Sequence, residues 1–125
     1  MIALLFGERL RAMGDDQGMV SVWKNEPEAP LWCSPKHDKH HSAVTALAWS
    51  SDGQYLASGS ADMTVKVWEA STGALLQTYT GHMAEVRALA WSPEGGRIVS
   101  SADHECPRVW TPLLPSSDLT KPSSE

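Results

Sequence analysis

Two stretches of the chain, HSAVTALAWSSDGQYLASGSADMTVKVW and HMAEVRALAWSPEGGRIVSSADHECPRVW, are copies of one unit. His40 and His82, Trp49 and Trp91, Ser58 and Ser100, and Trp68 and Trp110 each stand 42 positions apart. A third, weaker copy ends in GDDQGMVSVW, with Trp23 lying 45 positions before Trp68. A unit of this length cannot bury its apolar face alone, so neighbouring copies must stack and share a core. The duplication therefore predicts an array of about three small units, packed one against the next.

Within each copy the period is that of a strand. VTALAWS sets Val44, Ala46 and Ala48 against Thr45, Leu47 and Trp49, and TVKVW sets Val65 and Val67 against Lys66 and Trp68. Turn residues separate these runs: Asp52-Gly53, Ala61-Asp62, Thr72-Gly73 and Pro93-Glu94-Gly95. The expectation is an antiparallel meander with strands at 2–6, 9–14, 18–24 and 30–33, then 43–50, 54–60, 63–69 and 74–80, then 85–92, 96–101 and 106–110. The third copy lacks a fourth strand. Its last run contains Pro107, which cannot donate a ladder hydrogen bond and suits a strand with no outer neighbour. After it comes TPLLPSSDLTKPSSE, rich in Pro and Ser and expected to be disordered.

A unit of this length with Gly81-His82 at its start, an Asp in a tight turn and a Val-Trp ending resembles the WD40 repeat. The resemblance implies an all-β fold in which each unit is one four-stranded antiparallel blade of a β-propeller. The blades would be 1–33 (degenerate), 43–80 and 81–111 (incomplete), with a loop at 34–42 and a tail at 112–125. It also implies a structural hydrogen-bonded tetrad in each blade. Blade two supplies His40, Ser58, Asp62 and Trp68 in full. Blade three supplies His82, Ser100 and Trp110; His104 falls at the acid position, with Asp103 one residue early as the acid. Blade one keeps Trp23 but has Met13 at the Ser position and Gln17, beside Asp16, at the Asp position, so no network is expected there.

The same resemblance places a partner-binding surface on the face formed by the loops before the first strand and between the second and third. The positions pointing there are Asp16 in blade one, Ala43, Thr45 and Ala61 in blade two, and Glu85, Arg87 and Asp103 in blade three. A protein-interaction scaffold is implied, presenting loops to a protein or peptide partner.

Composition narrows the alternatives. Fifteen acidic and ten basic residues give a net charge of −5 with no basic block, which argues against nucleic acid as a partner. The apolar run of MIALLFGERL is too short to span a bilayer and has the flanks of neither a signal nor an anchor, so no membrane association is expected. Cys33 and Cys106 show no CxxC spacing, and a reduced, cytoplasmic protein is expected.

Three features invite a chemical reading. His40, Ser58 and Asp62 have the residue types of a hydrolase triad, but GxSxG is absent and Ser58 falls mid-strand, where no substrate carbonyl can reach. CSPKHDKHH offers Cys33, His37, His40 and His41 to a metal, though its spacing is not that of a zinc site and His40 already belongs to the tetrad. SADHECPRVW gathers His104, Glu105 and Cys106, which alignment with ASGSADMTVKVW turns into the start of a third strand. No catalytic residue, metal ligand or cofactor is assigned. A metal-dependent or hydrolytic site is the rival function, and a truncated propeller without function of its own the other. Because propellers close with four to eight blades, three blades leave an open arc, which could be part of a longer array or could self-associate into a six-bladed ring.

Overall fold

A computed structural model describes residues 2–6, 10–24, 30–34, 40–50, 53–92 and 96–112. The alternating runs form three antiparallel sheets, and none closes on itself. Sheet one contains β1 (Ile2–Phe6), β2 (Leu10–Gly14), β3 (Val20–Lys24) and β4 (Pro30–Cys33). Sheet two contains β5 (Val44–Trp49), β6 (Tyr55–Ser60), β7 (Val65–Glu69) and β8 (Leu75–Tyr79). Sheet three contains β9 (Val86–Trp91), β10 (Ile98–Ala102) and β11 (Arg108–Trp110). Strands follow one another in chain order across each sheet, and the described residues include no helix. They place no fourth strand beside β11. Of the expected tail, only Pro112 is described, and it is buried; the loop residues 35–39 also lie outside the described set.

The strand patterns fix what each face meets. In β5, Val44, Ala46 and Ala48 are buried and Thr45, Leu47 and Trp49 half-buried, a half-covered strand. The central strands differ. Every residue of β6 and the first four of β7 are buried, because both faces of the middle sheet are covered by a neighbour. One core joins sheets one and two through Ala12, Val20, Val22 and Trp32 against Val44, Leu56 and Trp68. The other joins sheets two and three through Tyr55, Ala57, Val65 and Val67 against Val86 and Ile98. The blades hold together because each buries the face its neighbour leaves open.

Aromatic contacts repeat across these seams. Trp32, at the end of β4, stacks on Trp68 with ring centroids 5.6 Å apart and donates its indole N–H to the Ala70 carbonyl at 2.7 Å. Tyr79, at the end of β8, stacks on Trp110 at 4.6 Å. Trp91 lies over Tyr55 at 6.3 Å and donates to the Ala48 carbonyl at 3.0 Å. Each such ring pair adds about 0.5–1.5 kcal/mol beyond the area it buries. Trp32 is the seam residue between sheets one and two.

Candidate functional site

The turn between β6 and β7 brings His40, Ser58, Asp62 and Trp68 together. Trp68 Nε1 donates to Ser58 Oγ at 2.9 Å, and Ser58 Oγ lies 2.8 Å from His40 Nε2. On the far side of the ring, His40 Nδ1 lies 3.2 Å from Asp62 Oδ2 and 3.0 Å from Thr64 Oγ1. A carboxylate only accepts, so Nδ1 carries the proton and Nε2 accepts from the serine hydroxyl. Asp62 Oδ2 also accepts the His41 backbone N–H at 2.8 Å, and Oδ1 takes the Thr64 N–H at 2.9 Å and the Thr64 hydroxyl. Burial alone would raise the Asp62 carboxyl pKa, but the hydrogen bonds from His40, Thr64 and the His41 backbone outweigh it and hold the pKa well below the usual carboxylate range. Thr64 escaped the sequence reading, although its place two residues after the turn acid is the ordinary position for capping such a side chain.

Blade three builds the same network with a different acid. His82 Nε2 lies 2.6 Å from Ser100 Oγ, and Trp110 Nε1 donates to that oxygen at 3.3 Å. The carboxylate on His82 Nδ1 is Glu105, at 3.0 Å, and its other oxygen takes the Met83 backbone N–H at 2.6 Å. Asp62 makes the same two contacts in blade two, in addition to those with Thr64. Asp103, the expected tetrad acid, is not in the network; it forms a two-pronged ion pair with Arg87, both contacts at 2.8 Å. The cause is local backbone. In blade two the positive φ falls on Met63, at 77°, whereas in blade three it falls one place earlier, on His104 at 60°. The altered turn directs the next residue, a longer glutamate, at the histidine. His82 and the Met83 N–H hold the Glu105 pKa below its ordinary value.

Among the described residues, blade one forms no such network. With methionine at position 13, the Trp23 indole donates instead to Ser21 Oγ, two residues back on its own strand, at 3.0 Å. Asp15 Oδ1 accepts from Gln17 and Met19 backbone N–H groups, both at 2.9 Å, and so stabilises the turn that the histidine would otherwise hold. That turn then supports the next blade, since Gly18 accepts the His40 backbone N–H at 3.0 Å.

The residues expected at the loop end divide into two groups. Ala43 and Ala61 are half-buried and joined by a backbone bond of 3.0 Å from the Ala61 N–H to the Ala43 carbonyl. Thr45 sits at an irregularity in the β5–β6 pairing, and its hydroxyl donates to the Val86 and Gly59 carbonyls, so it serves the seam between sheets two and three. Asp16, Glu85 and Arg87 are exposed, and Asp103 is half-buried. Arg87 occupies the matching irregularity in β9–β10, which turns its side chain toward Asp103, with Glu85 3.3 Å from the same guanidinium. The pair keeps both groups charged: Asp103 holds the Arg87 pKa up, and Arg87 holds the Asp103 pKa down.

The hydrogen-bond order serine to histidine to carboxylate is that of a hydrolase triad, but the surroundings are not. Ser58 and His40 are fully buried, and the serine oxygen is already held by the Trp68 N–H. Among the described residues no three His, Cys, Asp or Glu side chains gather as a metal would need; Cys33 is exposed, and His37 lies outside the described set. Cys106 is likewise exposed and belongs to neither network.

A family model described as WD domain, G-beta repeat matches residues 32–69 and 73–111. Among curated proteins, the chain is 38% identical over 80 residues to "Chromatin assembly factor 1 subunit FAS2 homolog" of Oryza sativa subsp. japonica, covering 62% of this chain and 16% of the relative. It is 43% identical over 56 residues to "U3 small nucleolar RNA-interacting protein 2" of Homo sapiens, covering 45% of this chain and 12% of the relative. The chain thus spans less than a fifth of the length of either relative. Among solved structures, the computationally designed Ika4 protein matches with a TM-score of 0.76 and 35% identity over 87% of this chain and 64% of that one.

Proposed function

Because the chain belongs to the WD40 family of WD-domain, G-beta repeats, we propose that it is a non-catalytic protein-interaction scaffold that presents the loop end of its blades to a protein or peptide partner. The observation that carries this reading is how the polar residues are divided. Buried histidines and serines, with half-buried acids, lock the turns of blades two and three from within. Held from beneath, those turns carry an exposed and already ordered cluster, Arg87 with Asp103 and Glu85. A surface ordered before binding loses less entropy when a partner arrives. Asp16, Ala43 and Ala61 extend the surface into blades one and two. The exposed, unbonded Cys33 and Cys106 suit a reducing compartment, and the cytoplasm is the proposed location.

Peptides selected by display against the folded chain test the reading. Arg87→Glu is expected to weaken the selected binders by about tenfold or more, as reversing a charge in an ordered polar contact does. Val109→Glu, on the outer face of blade three, should leave them unchanged. Selected peptides that tolerate Arg87→Glu, Asp16→Arg and Ala61→Arg alike would place binding elsewhere and refute the proposal.

A further inference from the structure

At each seam the structure shows what one blade needs in order to receive the next. The receiving face of blade two presents Tyr55, Ala57, Gly59, Val65 and Val67; in blade one the equivalent positions in strand pairing are Leu10, Ala12, Gly14, Val20 and Val22. The entering blade brings a valine against the glycine. A Cβ added at Gly59 would stand 2.5 Å from Val86 Cγ1, and one at Gly14 would stand 2.4 Å from Val44 Cγ1. Both seams therefore close only because this place has no side chain. The alanine beside it and the two valines are fully buried in both copies.

We infer that the outer face of blade three does not admit another blade of this kind, including blade one of a second copy. The 42-residue offset carries the five receiving positions to Arg97, Val99, Ser101, Pro107 and Val109. The pairing of β9, β10 and β11 keeps that register: Ser101 lies opposite Ala88 as Gly59 lies opposite Ala46. Serine fills the notch that glycine leaves open at both internal seams. Valine replaces the small alanine beside it, arginine replaces an aromatic or aliphatic side chain, and proline replaces the first valine of the outer strand. The pocket is thus narrowed at two places and made polar at a third. Val99 and Val109, 37% and 61% exposed, remain as a small apolar remnant, whereas Ala57 and Val67 are 0% exposed.

The opposite end of the array is altered in a matching way. Leu56 and Ile98 are the buried residues with which blades two and three enter their seams, and the equivalent of Leu56 in blade one is Arg11, paired with Trp23 as Leu56 is with Trp68. Arg11 Nε is buried without a hydrogen-bond partner. Docking blade one into blade three would remove the rest of this cation from water against Val99, Val109 and Arg97, none of which can neutralise it. A six-bladed ring of two copies satisfies blade count but not these two faces.

Two measurements on the full chain test the inference. Gly59→Ser and the milder Ala57→Val each place a blade-three residue in the blade-two socket. Hydrogen exchange should then quicken in β9 by about tenfold or more while β2 and β3 keep their protection, since local opening tracks lost packing. Unchanged protection of β9 in both variants would show that the socket tolerates these residues, and would overturn the inference. In sedimentation equilibrium the wild-type chain is expected at the mass of one copy. A dimer abolished by Val109→Glu would overturn the inference; a dimer indifferent to that change would place the contact elsewhere and support it.

Discussion

Ser58→Ala removes one oxygen from the centre of blade two, and the structure gives the size of the effect. The hydroxyl receives the Trp68 N–H at 2.9 Å and reaches His40 Nε2 at 2.8 Å, and all three residues are fully buried. Alanine leaves an indole donor and an imidazole acceptor unpaired and out of reach of water. Each such orphan costs about 1–3 kcal/mol, so the variant should lose about 2–6 kcal/mol. Ser100→Ala breaks the matching bonds in blade three, but Trp110 is only half-buried and its bond is longer, at 3.3 Å. Water can take over its indole N–H, and the loss there should be about 1–2 kcal/mol. Urea unfolding followed by far-ultraviolet circular dichroism gives the totals, and exchange of the β6 and β10 amides assigns each to its blade. A double-mutant cycle sharpens the test: in a Trp68→Phe background the orphaned donor no longer exists, and Ser58→Ala should cost about 1–2 kcal/mol less. Equal losses at Ser58 and Ser100, together with a cost unchanged by Trp68→Phe, would refute the network as the source of blade-two stability.

Trp32→Phe keeps a ring over Trp68 but loses the 2.7 Å bond to the Ala70 carbonyl, and should cost about 1 kcal/mol, whereas Trp32→Ala should cost about 3–5 kcal/mol; calorimetry checks the order. Glu105→Ala should lower the melting temperature more than Asp103→Ala, because Glu105 holds the His82 ring and the Met83 N–H while Asp103 holds an exposed arginine. The reverse order would restore Asp103 as the acid of the network. For pH, the Asp62 and Glu105 pKa values are lowered in the folded chain, so the native state binds fewer protons than the unfolded state as acid is added. Their contribution is present above the unfolded carboxylate range of about 4 and is lost as pH falls toward the folded values. Stability should therefore decline below about pH 5, and Asp62→Asn should flatten that decline in urea titrations at a series of pH values.

The strands were legible because their signals are local. A period of two, short turns and a repeated spacing placed all eleven described strands within two residues of expectation. The acid of blade three was not legible, for a reason that belongs to side-chain reach. An alignment column equates Asp62 with His104, which stands between Asp103 and Glu105, and matching residue type favours Asp103; but the positive φ has moved from Met63 to His104, and the extra methylene of Glu105 spans what remains. Asking which nearby carboxylate could reach the histidine, rather than which one shares its column, would have found it. Thr45 shows a similar limit: its position suggested a surface residue, while the irregularity in β5 sends its hydroxyl to the next blade.

The matched repeats begin at residues 32 and 73, in or just before an outer strand of one sheet, and end after the third strand of the next. Sequence unit and sheet are thus out of phase by one strand, and the stacked aromatics explain why that phase is favourable. Trp32 with Trp68, and Tyr79 with Trp110, each lie inside one sequence unit but in two different sheets. Every unit therefore carries both sides of a seam within its own few dozen residues. A short chain separation makes the contact entropically inexpensive to form and brings the outer strand of one sheet to order along with the core of the next. The consequence reaches the proposed binding surface: a substitution at Trp32 is expected to loosen the sheet on which His40 and its turn rest. Blade three has the ring that receives Tyr79 but no outer strand, among the described residues, to pass the contact on.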